Sequence, residues 1–220
     1  MRMDSSLQVI LDALPLLLEG TVVTLKIVVI SLIFAMVIGL ISGLMSTSLN
    51  RLLRLVASLY VDIIRGTPLL VQVYFIYFGL PVFLDMRIPA MTAGIIAVSL
   101  NAGAYVSEIF RAGIESIGKG QHEAARSLGL SRFKTMWLVI LPQATRRMIP
   151  TFVNQAIITI KDTSLLSAIG IAELTQTGEI IISSNFRAFE IWGVVGIFYL
   201  IIIVLLSRAS RFIERRYAIR

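Results

Sequence analysis

The 220-residue chain has no cysteine, which excludes disulfides, thiolate metal sites and cysteine nucleophiles together. Histidine is nearly absent as well: His122 stands alone, with no second imidazole to share a metal, and reads as a polar residue beside a helix. Charge is scarce, 15% of residues against 57% hydrophobic ones, and the mean hydropathy is +0.88. A soluble domain of this size could not hide so much apolar surface, so the chain reads as an integral membrane protein. Its net charge of +7 would suggest nucleic acid in a soluble protein. Here the basic residues cluster beside apolar runs, where they set orientation and meet membrane lipid, and no nucleic-acid partner is implied. Repeats, low-complexity segments and linkers are also missing, so residues 1–220 are expected to form one domain.

What is present is apolar sequence in long runs. Five stretches, near residues 22–46, 56–79, 89–112, 146–169 and 190–208, are long enough as helix to cross about 30 Å of hydrocarbon. The expected fold class is therefore all-α, an integral membrane protein of about five transmembrane helices with a short cytoplasmic helix. Arg51 and Arg54 follow the first stretch; Lys119, Arg126, Arg132, Lys134, Arg146 and Arg147 follow the third; Arg208, Arg211, Arg215, Arg216 and Arg220 follow the fifth. The opposite loops hold only Arg2, Arg87 and Arg187. Basic residues stay on the cytoplasmic side, which predicts an outer N-terminus and a cytoplasmic C-terminus. Residues 1–20, with Leu7, Ile10, Leu11 and Leu14 on one face, suggest a short amphipathic helix along the outer surface. Residues 171–189 read as a longer outer connection, able to fold back as a re-entrant helix or to offer a docking surface.

Ionisable residues inside a membrane span cost several kcal/mol unless they face a cavity or a partner, so each one is a candidate for function. Lys26 is near enough to the outer interface to snorkel. Asp62 and Arg65, one turn apart, can pair with each other. The following Gly66-Thr67-Pro68 removes a helix donor and loosens the backbone, which predicts a break or kink. Asn101, Tyr105 and Glu108 share one helix face, with Arg111 continuing it. That face could line a substrate site or form a polar seam between helices. Lys161-Asp162-Thr163-Ser164 lies mid-span between apolar runs, and two adjacent opposite charges do not face each other on a regular helix. The helix either unwinds there, as in transporters that bind small zwitterions, or the charges reach separate partners, with Lys161–Glu108 and Asp162–Arg111 as the fixed-bridge alternative. Candidate substrate-binding residues are Gln72, Asn101, Tyr105, Glu108, Lys161, Asp162, Thr163 and Ser164. No set of residues suggests a catalytic site, since Ser164 beside Lys161 has no supporting context, and none suggests a metal site.

A polar and basic island separates the third and fourth runs. Gln121 to Leu128 favours helix, Gly129 can take the left-handed conformation that ends one, and Ser131 can cap the next. The second helix would carry Phe133, Met136, Trp137 and Ile140 as an apolar stripe until Leu141-Pro142 halts it. The pattern Glu123-Ala124-Ala125-x3-Gly129-x9-Val139-x-Leu141-Pro142 resembles the cytoplasmic signature of membrane subunits of ATP-binding-cassette importers, with Val139 where that family usually has isoleucine. Arg65-Gly66-Thr67-Pro68-Leu69-Leu70-Val71-Gln72 is similar to its polar amino acid branch, and with the Lys161-Asp162-Thr163-Ser164 string the resemblance covers nearly the whole chain.

The resemblance implies a type I importer permease in a prokaryotic cytoplasmic membrane. It also implies a second permease subunit, identical or related, two ATPase subunits and an extracytoplasmic amino-acid-binding protein. Residues 118–142 would be the coupling loop, with Glu123, Ala124, Ala125, Gly129, Phe133, Leu141 and Pro142 at the ATPase. No G-x-x-x-x-G-K-[ST] loop is present, so ATP and magnesium would bind the partner and this chain would need no cofactor of its own. The expected cargo is a basic amino acid (arginine, lysine or histidine), with glutamine or glutamate as the rival. An ion-coupled transporter or channel is the alternative, and it would favour inverted repeats that the sequence does not contain.

Overall fold

The computed structural model describes residues 2–217, with side chains placed for residues 6–211. Arg220, used above for orientation, lies outside the described residues, and the side chains of Arg2, Arg215 and Arg216 are not described. The described chain is helical throughout: α1 (Arg2–Ser46), α2 (Arg51–Arg65), α3 (Leu69–Tyr74), α4 (Leu80–Leu84), α5 (Ala90–Glu115), α6 (Lys119–Ser127), α7 (Arg132–Thr135), α8 (Leu141–Asp162), α9 (Leu174–Asn185) and α10 (Ala188–Tyr217). Single π-helical turns, Phe75–Gly79 and Met136–Ile140, join α3 to α4 and α7 to α8, and a 3-10 segment, Thr163–Ile169, extends α8.

Pair contacts fix the direction of each long helix. Ser31 of α1 reaches the Ile95 carbonyl at 3.4 Å and Ser42 meets Ser107 at 3.0 Å, so α1 and α5 run parallel. They approach closely because Gly39 and Gly43 leave room: a Cβ on Gly39 would strike Val106, and one on Gly43 would lie 2.9 Å from Phe110. Phe110 packs on Phe152 and Gly113 on Met148, which makes α8 antiparallel to α5. Ser6 bonds Glu190 while Thr24 and Tyr199 share Glu173, so α10 runs with α1. α1, α5 and α10 run in one direction and α8 in the other, and counting each bent passage as one span gives five, by length and composition. Three helices qualify alone, Ser6–Ser46, Ala90–Glu115 and Ala188–Arg211, and two passages are bent.

Several expectations change in detail. Residues 1–20 do not form a separate surface helix; α1 is continuous, and its buried face is Ala13, Leu17 and Thr24, packed on α9 and α10, while Leu7 and Leu11 are exposed. The second passage does break at Gly66-Thr67-Pro68, by 103°, and its two arms are Arg51–Arg65 and Leu69–Leu84. The Gln72 amide bridges that break, donating to the Ile64 carbonyl at 2.7 Å and the Thr67 carbonyl at 3.0 Å, and Asn101 donates to Gln72 Oε1 at 3.1 Å. Leu141-Pro142 halts nothing. The Leu141 amide bonds Met136, five residues back, and the widened π turn carries the helix past a proline that has no N–H to give. Residues 171–189 do not fold back, because α9 keeps the direction of α8, antiparallel to α1, after a 47° bend.

Candidate translocation site and coupling surface

The eight candidate substrate residues occupy two levels. The pairs Gly113–Met148 and Phe110–Phe152 put Asn101 level with Ile160 and Lys161, and Glu108 about 10 Å away along α5. Gln72 joins the Asn101 level through their hydrogen bond.

At the Glu108 level, both carboxylate oxygens engage Arg111, Oε1 at 3.0 Å and Oε2 at 2.9 Å. Arg65 of α2 reaches the same Oε2 at 3.3 Å and lies 5.2 Å from the ring centre of Tyr105. The expected Asp62–Arg65 pair is therefore replaced: Asp62 accepts from Ser58 at 3.0 Å, and Arg65 crosses to α5. Helical position explains the exchange, since Arg54, Ser58, Asp62 and Arg65 line one face of α2 and look into a cleft of about 280 Å³ shared with Glu108 and Arg111.

At the other level Lys161 is exposed and Asp162 half-buried, and among the described residues neither has an ion pair. The fixed bridges Lys161–Glu108 and Asp162–Arg111 are thus absent, and Glu108 is held by arginines instead. The helix does not unwind at this string. It tightens to 3-10, with Thr163 donating to the Ile160 carbonyl and Ser164 to the Lys161 carbonyl, both at 2.7 Å. The real break comes later, at Gly170, which ends the segment with φ +75°.

The sequence reading missed Glu173. Placed there in an outer loop, it is completely buried, capping α9 through the Gln176 amide at 2.8 Å and accepting from Tyr199 at 3.0 Å. The signal available was local: a carboxylate three residues before Gln176 and three after Gly170.

The island folds as expected up to the π turn. Gly129, φ +79°, ends α6 with its amide on Arg126 and the Leu130 amide on Ala125, the paired bonds of a Schellman cap. Ser131 caps α7 through the Lys134 amide at 3.3 Å. Glu123 and Ala124 are exposed and Ala125 is buried. The apolar stripe divides: Ile140 is buried, whereas Phe133 (70%) and Trp137 (53%) stand in the open, as does Leu128 (82%) at the end of α6. Leu141 is half-buried and Pro142 exposed.

Residues 35–219 match the family of binding-protein-dependent transport system inner membrane components. The chain belongs to that family. It is 51% identical over 208 residues to the glutamine transport system permease protein GlnP of Escherichia coli (strain K12), covering 94% of this chain and 95% of that one. The putative glutamine transport system permease protein GlnP of Rickettsia bellii is 40% identical over 200 residues, 91% of this chain and 92% of that one. A crystal structure of an amino acid ABC transporter with histidines superposes with a TM-score of 0.90 at 40% identity, covering 94% and 96% of the two chains. The inward-facing MetNI methionine ABC transporter has the same fold, with a TM-score of 0.79 at 23% identity over 93% and 97%. The architecture is that of a type I importer permease, a multi-pass transport component of the inner membrane.

Proposed function

We propose that this chain is the permease of an ATP-driven importer of polar amino acids, with glutamine as the leading cargo. The observation that carries this reading is the 51% identity to a glutamine permease over almost the full length of both chains. The cationic cargo expected from free carboxylates loses ground, because Glu108 is neutralised by Arg65 and Arg111.

The site we favour is the Lys161 level. A zwitterion needs a cation for its carboxylate and an anion for its ammonium, and among the described residues Lys161 and Asp162 have no ion-pair partner. Asn101 supplies an amide group suited to an amide side chain, and Gln72, engaged across the helix break, holds it in place. Thr163 and Ser164 shape the segment through bonds to their own helix, and Tyr105 and Glu108 line the path beyond it.

The remaining parts follow the same reading. The basic residues put the C-terminus and the 118–142 coupling loop in the cytoplasm and the N-terminus outside. Exposed Leu128, Phe133 and Trp137, beside Glu123 and Gly129, would seat in a partner ATPase that binds ATP and magnesium. A second permease copy or relative and an extracytoplasmic binding protein would complete the importer. Closure of the ATPases would rock the bundle between outward and inward access.

Reconstitution of the permease with a partner ATPase and an amino-acid-binding protein tests the reading. ATP-dependent glutamine uptake is expected, with excess arginine, lysine or histidine competing weakly. Strong competition by arginine would reinstate the basic cargo. Uptake driven by a proton gradient without the ATPase would favour an ion-coupled transporter.

A further inference from the structure

Among the described residues Glu173 is the one completely buried carboxylate, and the transport reading leaves it without a task. Its partners come from three helices. Oε1 takes the Gln176 amide at the start of α9 at 2.8 Å, and Oε2 takes the Tyr199 hydroxyl of α10 at 3.0 Å and, more weakly, the Thr24 hydroxyl of α1 at 3.5 Å. Thr24 also accepts the Leu174 amide at 3.1 Å, so α1 is tied to both ends of the same turn. Among the described residues no lysine or arginine pairs with Glu173. Its carboxyl oxygens are satisfied by helix-end amides and hydroxyls alone, an arrangement that works only while all three helices keep their places.

The position of this clasp gives it mechanical meaning. Arg132 to Ile169 is one uninterrupted helical rod, and beyond it the chain bends by 47° into α9. The turning point is Gly170, at φ +75°, where an added Cβ would meet nothing within 4 Å. The rod carries Lys161-Asp162 just before that turn and begins in the island at α7. A rod ending in a swivel moves what it carries only if the far side of the swivel is held. Three residues after Gly170, Glu173 holds it.

We propose that Glu173 is a positioning residue for translocation: it anchors α9 to Thr24 and Tyr199, so that motion entering the rod at its cytoplasmic end turns about Gly170 and displaces Lys161-Asp162 instead of dragging α9 along. This rests on the reading of the island as the ATPase contact and of Lys161-Asp162 as the cargo site.

The test uses the whole reconstituted importer and reads glutamine moved per ATP hydrolysed. Glu173→Gln keeps the shape and the acceptor for the Gln176 amide but puts an NH2 where Oε2 accepts from Tyr199 and Thr24, and Tyr199→Phe removes one donor. Both are expected to lower transport per ATP by about tenfold, with half-saturating glutamine within about twofold of the unaltered importer. Hydrolysis continues, because the island is untouched. If uptake and hydrolysis fall together, leaving transport per ATP constant, Glu173 is packing alone and the proposal is overturned. If Glu173→Gln fails to assemble, Tyr199→Phe and Thr24→Val carry the same measurement. An unaltered importer that takes up glutamine without any link to ATP hydrolysis would instead sink the functional reading beneath the proposal.

Discussion

Arg65 at the end of α2 and Glu108 on α5 meet at 3.3 Å, across a helix break and between segments more than forty residues apart in the chain. The contact ties the arm before the break to the helix that carries Asn101. Arg111 binds the same carboxylate through two nitrogens, so Glu108 serves two guanidinium groups and offers little to a passing cation. Replacing it as Glu108→Gln is expected to leave half-saturating substrate unchanged and to lower stability by about 1 kcal/mol, the scale for half-exposed ion pairs. Adding Lys161→Met should restore nothing, while Arg65→Met in the Glu108→Gln background should cost less than it does alone. Thermal melting of the purified permease beside uptake assays reads all three variants. A tenfold loss of affinity without loss of stability would return Glu108 to the cargo site.

Gly129 allows a second test. Its left-handed backbone is required by the Schellman cap of α6, and open space surrounds it, so conformation and not crowding is at stake. Gly129→Val should strain the turn by about 1–2 kcal/mol and displace the helix that carries Glu123. Stimulated ATP hydrolysis should fall while membrane insertion stays normal. Gly129→Asn, whose side chain tolerates this region, should retain most activity. Normal hydrolysis in Gly129→Val would remove the island from the ATPase contact.

The features legible in the sequence were those decided by local backbone chemistry. Gly66-Thr67-Pro68 and Gly129 act on their own turns, and the structure breaks or caps the chain at both. Pro142 was misread because a π turn before it absorbs the missing donor, and a widened turn leaves no mark in the hydrophobic pattern. The partners of Arg65 and Glu173 were hidden for a different reason. Each lies on another helix, so choosing Glu108 over Asp62, or Tyr199 over solvent, needs the packing of α1, α5 and α10. The buried face of the first helix was missed for the same reason, since Ala13 and Thr24 are less apolar than the exposed Leu7 and Leu11.

Orientation can be read directly, because a chain with no native cysteine gives clean single-cysteine labelling. Phe83 is 85% exposed at the far end of the second passage and Phe133 is 70% exposed in the island. In intact cells an impermeant maleimide should label Phe83→Cys and leave Phe133→Cys untouched until the membrane is opened. The reverse pattern would invert every assignment made from the basic residues.

The most demanding prediction concerns Lys161 and Asp162, adjacent charges that lie level with Asn101 and have no ion-pair partner among the described residues. A helix carries such a pair at mid-bundle at some cost in stability, and a zwitterionic cargo would satisfy both charges at once. Asp162→Asn keeps the size and removes the charge-assisted bond to the ammonium, worth about 1.5–3 kcal/mol, so half-saturating glutamine should rise about ten- to a hundredfold. Lys161→Met should do the same through the carboxylate. Asn101→Leu should instead blur the choice between glutamine and glutamate, because only the side-chain amide would lose its partner; it should also loosen the Gln72 bridge across the second passage. None of the charge variants should lower the melting temperature appreciably, since neither charge stabilises a fixed pair. Unchanged transport affinity with a lowered melting temperature in both would leave these charges as parts of the scaffold and move the cargo elsewhere.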